Sequence, residues 1–300
     1  MGYSAEKFRR GLRHASLLLL ALPIPVVAQQ PAAPPTLEQV LSRVHENFEA
    51  YLHTVPNVFA DEHLVSAVKA ESNSSGGMSL GSVIPARNDT IDSIFRLKRS
   101  SAEGNAVVLG EARQIVSFNH RPPAPDQSLV APNLVSGAFS YAASFLSPAL
   151  ESCYDYRLET NQRLHGTAVL VVDYDSKKLV PRSARCPITE LNSGRAFLDP
   201  ASLQIVRYEQ KRPKHEYDRG TLGSWSAIEA GTLTTWTWSI DYAPVTLEGH
   251  TFWLPKRISS KTVTNTGPPV EWSFAAGYSN YHLMDVHSTI LPGYTVVPQP

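Results

Sequence analysis

Apolar residues return every three to four positions near the start of the chain, the spacing of one face of an α-helix. We predict a helix over residues 36–54, with an apolar face made of Leu37, Val40, Leu41, Val44, Phe48, Tyr51, Leu52 and Val55. Thr36 followed three residues later by Gln39 matches a capping box, in which the two residues satisfy free N–H groups of the first turn. Pro56 should end the helix, because the residue before a proline avoids the helical conformation.

Two further segments differ from the strand patterns that fill most of the chain. Residues 134–146 (LVSGAFSYAASFL) are small and apolar with helical spacing, so we predict a second, inserted helix there. Residues 72–90 are polar and rich in glycine and serine, which predicts a loop.

Strand patterns account for much of the remaining chain. The predicted strands cover residues 57–69, 94–98, 106–118, 154–163, 167–174, 195–198, 204–211, 233–242, 251–263 and 270–283. Strands joined by short turns pair antiparallel, and the missing strand–helix–strand alternation disfavours a doubly wound sheet. The pattern predicts an α+β fold, with one strongly curved antiparallel sheet packed on the two helices and a strand order that largely follows the chain.

Two of these strands carry large side chains on a single face, because side chains alternate along a strand. The candidate ligand-binding residues are Trp236, Trp238, Ile240 and Tyr242 on one strand and Trp272, Phe274 and Tyr278 on the other. Such faces line an apolar ligand cavity where a concavity stays open. They form ordinary core where a helix covers them, and buried aromatic faces need no ligand to explain them. The pattern leaves both interpretations open.

The N-terminus has the three parts of a secretory signal peptide. A basic region lies between Lys7 and Arg13, an apolar run covers residues 15–27, and small residues lead to Ala28. The run is too short to span the ~30 Å hydrocarbon core of a bilayer, so we expect no transmembrane anchor in the mature chain. We therefore expect a periplasmic or secreted protein with a signal peptide at 1–28, a Pro-rich linker at 29–35, a single domain at 36–290 and a C-terminal tail at 291–300.

Charge and cysteine content limit the partners and the chemistry. The chain has 27 basic and 27 acidic residues, and cleavage would remove four basic and one acidic residue, which leaves a net charge of −3. A mildly acidic, mixed surface argues against nucleic acid as a partner. Cys153 and Cys186 are the only two cysteines. In an oxidising compartment, such a pair is most simply a disulfide, although two buried free thiols are the alternative.

Two motifs contain residue types that catalysis or metal binding requires. Residues 77–81 (GMSLG) match the nucleophile-elbow pattern around Ser79, but that motif needs a strand-to-helix turn and here lies in a Gly/Ser-rich loop. His45, Glu49 and His53 follow one another at i, i+4 and i+8 on the predicted helix, where neighbours lie ~5–6 Å apart. A solvated helix face explains them equally well. We assign no catalytic residue, no metal and no cofactor, since phosphate loops, dinucleotide fingerprints and zinc fingers are missing.

Several phrases resemble two hairpins of the outer-membrane lipoprotein carrier superfamily (LolA-, LolB- and RseB-like proteins), and two others resemble the ends of secreted bacterial relatives of unknown function. These phrases are Gly194–Pro200, Leu203–Glu209, Asp241–Pro244, His250–Pro255, Tyr51–Asp61 and Tyr278–Tyr281. The resemblance covers residues 36–290. It implies a half-open β-barrel around helices, with an apolar interior that holds acyl chains in the carriers. It assigns no functional residue to this chain.

Together these features favour a non-enzymatic periplasmic protein that binds or carries a lipid-like or apolar ligand, or an envelope protein partner. The alternative is a secreted hydrolase that uses Ser79 or a His/Glu metal site.

Overall fold

The computed structural model of the protein describes residues 34–70, 85–101, 107–124, 131, 134–140, 142–177, 186, 192–215, 233–264 and 270–284. The predicted signal peptide, Ser79 and the predicted C-terminal tail lie outside these residues, so those assignments stay predictions.

The N-terminal helix forms where its apolar spacing predicts it. Helix α1 covers Leu37–Thr54. Its first turn is closed by the capping box, in which the Gln39 N–H donates to Thr36 Oγ1 at 3.3 Å and the Thr36 N–H donates to Gln39 Oε1 at 2.9 Å. The helix ends before Val55, which is extended and precedes Pro56.

Ten strands form one antiparallel sheet. They are β1 (Val58–Ala70), β2 (Arg87–Ser101), β3 (Val107–Phe118), β4 (Tyr154–Leu164), β5 (Thr167–Ser176), β6 (Ser193–Leu198), β7 (Ile205–His215), β8 (Leu233–Leu247), β9 (His250–Thr264) and β10 (Val270–Leu283). Their order is β3-β2-β1-β10-β9-β8-β7-β6-β5-β4. Strands that follow one another in the chain are neighbours in the sheet, with the exception of β3 and β4, which lie at its two opposite edges. The first and last strands, β1 and β10, pair with each other inside the sheet.

The sheet is curved and open. Helix α1 contacts both edge strands, β3 and β4, so the sheet bends until its two edges flank the same helix. Register shifts interrupt five of the strand pairs, and bulges of this kind increase local twist and bending. The concave face and α1 bury one large core, whose fully buried members include Val40, Val44, Leu64, Phe95, Leu198 and Ile258.

The prediction of a second helix over residues 134–146 is wrong. Gly137 has a φ of +89°, which lies outside the right-handed helical region and interrupts any helix there. A turn covers residues 138–140, and two short 3-10 helices, Ala142–Leu146 and Pro148–Leu150, follow. The apolar spacing is that of a segment buried against the sheet, which periodicity alone does not separate from a helix.

The loop predicted over residues 72–90 does not extend to residue 90, because β2 begins at Arg87. Residues 71–84 lie outside the described part of the chain, whereas residues 87–90 belong to β2. Arg87 pairs with Val68 of β1, and the Asp89 carboxylate accepts a hydrogen bond from Asn119 Nδ2 at 3.0 Å. Long-range pairing therefore overrides the weak strand propensity of these polar residues.

The predicted disulfide is confirmed. Cys153 and Cys186 are bonded with a Cα–Cα distance of 5.7 Å. The bond ties the chain between β5 and β6 to the residue that precedes β4. Among the described residues, no helix is long and apolar enough to cross a membrane.

Candidate functional site

Most of the aromatic candidates from the sequence lie in packed core. Trp238, Ile240, Phe274 and Tyr278 are buried on the concave face. Trp236 and Tyr242 are partly exposed at the margin of the same core, and Trp272 is partly exposed. For Ile240, Phe274 and Tyr278 the structure favours the core interpretation, whereas Trp238, although buried, also borders a cavity lined by charged residues.

Tyr278 has a specific partner in this core. Its hydroxyl donates to Glu62 Oε1 at 2.8 Å, and Ser93 Oγ donates to Glu62 Oε2 at 2.5 Å. Arg113 Nε lies 2.9 and 2.8 Å from the two carboxylate oxygens, and the Glu62 side chain is 0% exposed. Burial, followed by the nearby Glu62 charge, holds the pKa of Tyr278 well above its usual range. Tyr278, Ser93 and Arg113 all donate to this buried carboxylate, which indicates a hydrogen-bond network that stabilises the fold.

A cavity of about 520 Å³ opens between α1, the β6–β7 turn and the start of β9. We call it the helix cavity. Its volume is within the range of ligand pockets, roughly 300–1,000 Å³. Six of its lining residues are aromatic: Phe48, Tyr51, Phe139, Tyr242, Phe252 and Trp253. Tyr242 is thus the one sequence candidate that lines this cavity.

Polar side chains also line the helix cavity, namely those of Asn47, Tyr51, Thr54, Gln204, Tyr242, His250 and Thr251. The Tyr51 hydroxyl is buried and has no hydrogen-bond partner among the described residues, whereas the Tyr242 hydroxyl donates to the Ala138 carbonyl at 3.0 Å. Burial, followed by the Glu111 charge, raises the pKa of Tyr51 far above its usual range. The Tyr51 phenol therefore stays protonated.

Glu111 holds the segment that forms part of the cavity wall. Its carboxylate accepts the backbone N–H groups of Gly137 at 2.9 Å and Phe139 at 3.3 Å. Burial raises the pKa of Glu111, although these two hydrogen bonds and the charge of Arg113 oppose the shift. These contacts fix Phe139, which stacks on Phe95 with ring centroids 4.6 Å apart.

The opposite wall is fixed by one polar side chain of α1. Asn47 Nδ2 donates to the carbonyls of Ser202 at 3.0 Å and Leu203 at 3.1 Å in the β6–β7 turn. That turn is itself closed by Asp199, whose Oδ1 accepts the Ser202 N–H at 2.8 Å. Helix and turn are therefore held at a fixed separation beside the cavity.

A second cavity, of about 570 Å³, has a different character. Charged residues of the sheet line it, and its arginines form ion pairs. Arg195 lies 2.7 Å from Asp173, and Arg207 lies 2.7 Å from both Glu209 and Asp241. These pairs form a surface ladder along the sheet, and the lining also contains two lysines, Lys211 and Lys261.

The structure does not bring the described residues of these motifs into a catalytic or metal-binding arrangement. Glu49 and His53 on α1 are exposed, with His53 Nε2 3.9 Å from Glu49 Oε2. No group of three or more potential metal-ligating side chains is found in the described part of the chain. Ser79, the other residue of the hydrolase alternative, is outside that part.

A serine, an aspartate and a histidine do meet on the outer face of the sheet, but in the wrong order for catalysis. His63 Nδ1 lies 2.7 Å from Asp92 Oδ1, and Ser117 Oγ donates to Asp92 Oδ2 at 2.6 Å. The hydrogen bond from Ser117, followed by that from His63, lowers the pKa of Asp92. Because the carboxylate separates hydroxyl from imidazole, the imidazole does not reach the serine proton, which a nucleophilic serine requires.

Comparisons with known proteins add little to this description. No family model matches the chain, and no curated protein matches it. A solved structure of a DUF1329 family protein from Desulfovibrio piger aligns with 84% of this chain and 94% of its own chain, at 7% sequence identity and a TM-score of 0.34. Similarity at this level does not establish a shared fold, so the helix cavity is assigned from its own geometry.

Sequence reasoning did not identify most of the residues that line the helix cavity. Phe48 and Tyr51 belong to the apolar face of α1, which predicts packing and not an open space. Phe252 and Trp253 are adjacent aromatic residues beside the β8–β9 turn. Since side chains alternate along a strand, two successive large aromatics signal that the simple core pattern ends there.

Proposed function

We propose that this protein, exported from the cytoplasm, binds or carries a lipid-like ligand whose hydrocarbon part occupies the helix cavity. The observation that carries the proposal is the cavity itself, with six aromatic side chains around about 520 Å³. Burying apolar ligand surface there contributes roughly 25 cal/mol per Å² before the costs of binding are subtracted. A half-open barrel with an apolar interior is also the architecture implied by the resemblance to lipoprotein carriers.

The polar end of the ligand would lie at Tyr51. Its buried hydroxyl has no partner among the described residues, and a ligand oxygen that accepts its proton would satisfy it. An unsatisfied buried hydroxyl costs about 1–3 kcal/mol, so such a ligand gains this amount by binding. Replacing Tyr51 with Phe should therefore weaken binding of an oxygen-bearing ligand while leaving folding unchanged or improved.

A fluorescent acyl chain tests the proposal. Dansyl-labelled undecanoic acid is titrated into the mature protein, and energy transfer from tryptophan reports binding, because Trp253 lines the cavity. Ala50→Trp should fill the cavity and raise Kd by about tenfold or more, which corresponds to about 1.4 kcal/mol. Ser42→Trp is the matched control, since Ser42 is an exposed α1 residue that does not line the cavity.

The comparison of the two variants shows whether the probe binds in the helix cavity or elsewhere on the protein surface. Wild-type affinity in Ala50→Trp, or no saturable binding in the wild type, would overturn the proposal. Native mass spectrometry of protein taken directly from its compartment provides an independent check, because a co-purifying lipid would identify the ligand class.

A further inference from the structure

Two of the three exposed large hydrophobic side chains in the described chain belong to one edge strand of the sheet. Val108 is 45%, Val116 52% and Leu134 38% exposed. Val108 and Val116 belong to edge strand β3. Leu134 is adjacent to Val135, whose carbonyl accepts a hydrogen bond from Arg113 Nη2 of β3 at 3.0 Å. An exposed edge strand that carries apolar side chains is a template for pairing with another chain.

The two edges of the sheet differ in how they are protected. On the outer face of β4, charged side chains follow one another: Asp155, Arg157 and Glu159. On the outer face of β3, every residue is uncharged: Val108, Gly110, Ala112, Gln114 and Val116. Charged residues on an edge strand discourage pairing with another chain. In the described part of the protein, β3 pairs only with β2 and with its own following turn, so its outer edge is the one suited to accept a strand.

The sequence of β3 is complementary to itself. If two copies align antiparallel about Ala112, Val108 faces the partner subunit's Val116 and Leu109 faces the partner subunit's Ile115. Glu111 and Arg113, the two charged residues of β3, point inward and are bound within their own chain, so they bring no unpaired charge to this edge. Directly opposite side chains lie about 4.5–5.5 Å apart between Cβ atoms and stabilise the pair when they are apolar or oppositely charged.

We propose that β3 joins a second copy of this chain, through antiparallel pairing centred on Ala112, into a two-fold symmetric dimer with one continuous sheet. A two-fold interface uses the same patch on both subunits, and strand addition supplies main-chain hydrogen bonds along the whole edge. The partner subunit's Val116 covers Val108, and Val116 covers the partner subunit's Val108. The helix cavity lies outside this interface, since none of its lining residues belongs to β3.

Charge variants at the edge test the interface. Sedimentation of the mature, oxidised protein should show a dimer. Val108→Lys combined with Val116→Lys places like charges opposite each other and should weaken dimerisation by more than about tenfold. Val108→Lys combined with Val116→Glu places opposite charges there and should retain the dimer. Thr160→Lys, at an exposed site on β4, is the control and should change nothing.

A cysteine scan tests the register. Ala112→Cys places two thiols on the two-fold axis and should form a covalent dimer on mild oxidation. Gly110→Cys should not, because each new thiol faces the partner subunit's Gln114; a Cβ at Gly110 has room, with its nearest contact at 3.7 Å.

Three results would each overturn the proposal: a monomer at every concentration tested, a dimer that survives Val108→Lys with Val116→Lys, or crosslinking at Gly110 but not at Ala112. A monomer that instead binds an extended peptide of another protein at this edge also counts against a second copy. Unchanged binding of the acyl probe by the dilysine variant keeps the test separate from the proposed function.

Discussion

Removing Arg113 should be among the most damaging single substitutions in this protein. The Arg113 side chain is 11% exposed and the Glu62 side chain 0%. Arg113→Met removes both Nε contacts with Glu62 and the hydrogen bond from Nη2 to the Val135 carbonyl at 3.0 Å. It also removes the guanidinium that lies 5.4 Å from the centre of the Phe95 ring.

The cost comes mainly from the charge that is left behind. Breaking a buried ion pair by removing one partner costs about 3–5 kcal/mol, because the remaining charge is desolvated and unpaired. Glu62→Gln in the Arg113→Met background removes that charge while keeping an oxygen that accepts from Tyr278. The double variant should therefore regain at least about 2 kcal/mol relative to Arg113→Met.

Urea unfolding followed by tryptophan fluorescence measures both values. Arg157→Met is the control, because Arg157 pairs with Asp175 at 2.7 Å but both side chains are exposed. Such surface pairs contribute about 0–1 kcal/mol. The reasoning fails if Arg113→Met lies within about 1 kcal/mol of the wild type, or if the double variant is less stable than Arg113→Met alone.

The other predictions concern the stability that depends on the disulfide and on one closely packed glycine. Replacing both cysteines with alanine should lower the free energy of unfolding by about 3.7 kcal/mol in the chain-entropy model, because the bond closes a separation of 33 residues. Calorimetry of the oxidised protein and of the variant measures this difference, and equal stability would contradict the prediction. Gly194→Ala should prevent folding or lower Tm strongly, because a Cβ there would collide with the Glu209 carbonyl and the Tyr174 hydroxyl. Gly277→Ala, where a Cβ meets nothing within 4 Å, should leave Tm nearly unchanged.

The fold was predictable where side-chain spacing repeats over many residues. The helix at Leu37–Thr54 and the antiparallel hairpins follow from local patterns, since capping, alternation and turns are encoded by neighbouring residues. Residues 134–146 were not predictable in this way. Their apolar spacing fits a helix, but Gly137 and the hydrogen bonds from its N–H and that of Phe139 to Glu111 hold an irregular conformation. Glu111 lies 26 residues from Gly137 in the chain, which local spacing does not reveal.

The candidate site was predictable only in part. Alternation correctly assigns Trp238 and Phe274 to the concave face, where both are buried. It does not tell which part of a face remains open, because that depends on where α1 crosses the sheet. The position of α1 is fixed by Asn47 and the β6–β7 turn, 155 residues away. Tyr242 lines the cavity because it lies near this crossing, and Phe252 lines it from the next strand.

The buried ion pair and the helix cavity are connected through one short segment of backbone. Residues 135–139 lack the internal hydrogen bonds of a helix and are instead held by side chains from distant strands. Arg113 binds the Val135 carbonyl, Glu111 binds two backbone N–H groups, and Tyr242 donates to the Ala138 carbonyl. Ala138 and Phe139 line the cavity. Arg113 and Glu111 therefore also shape the helix cavity, because irregular backbone needs polar partners when it is buried.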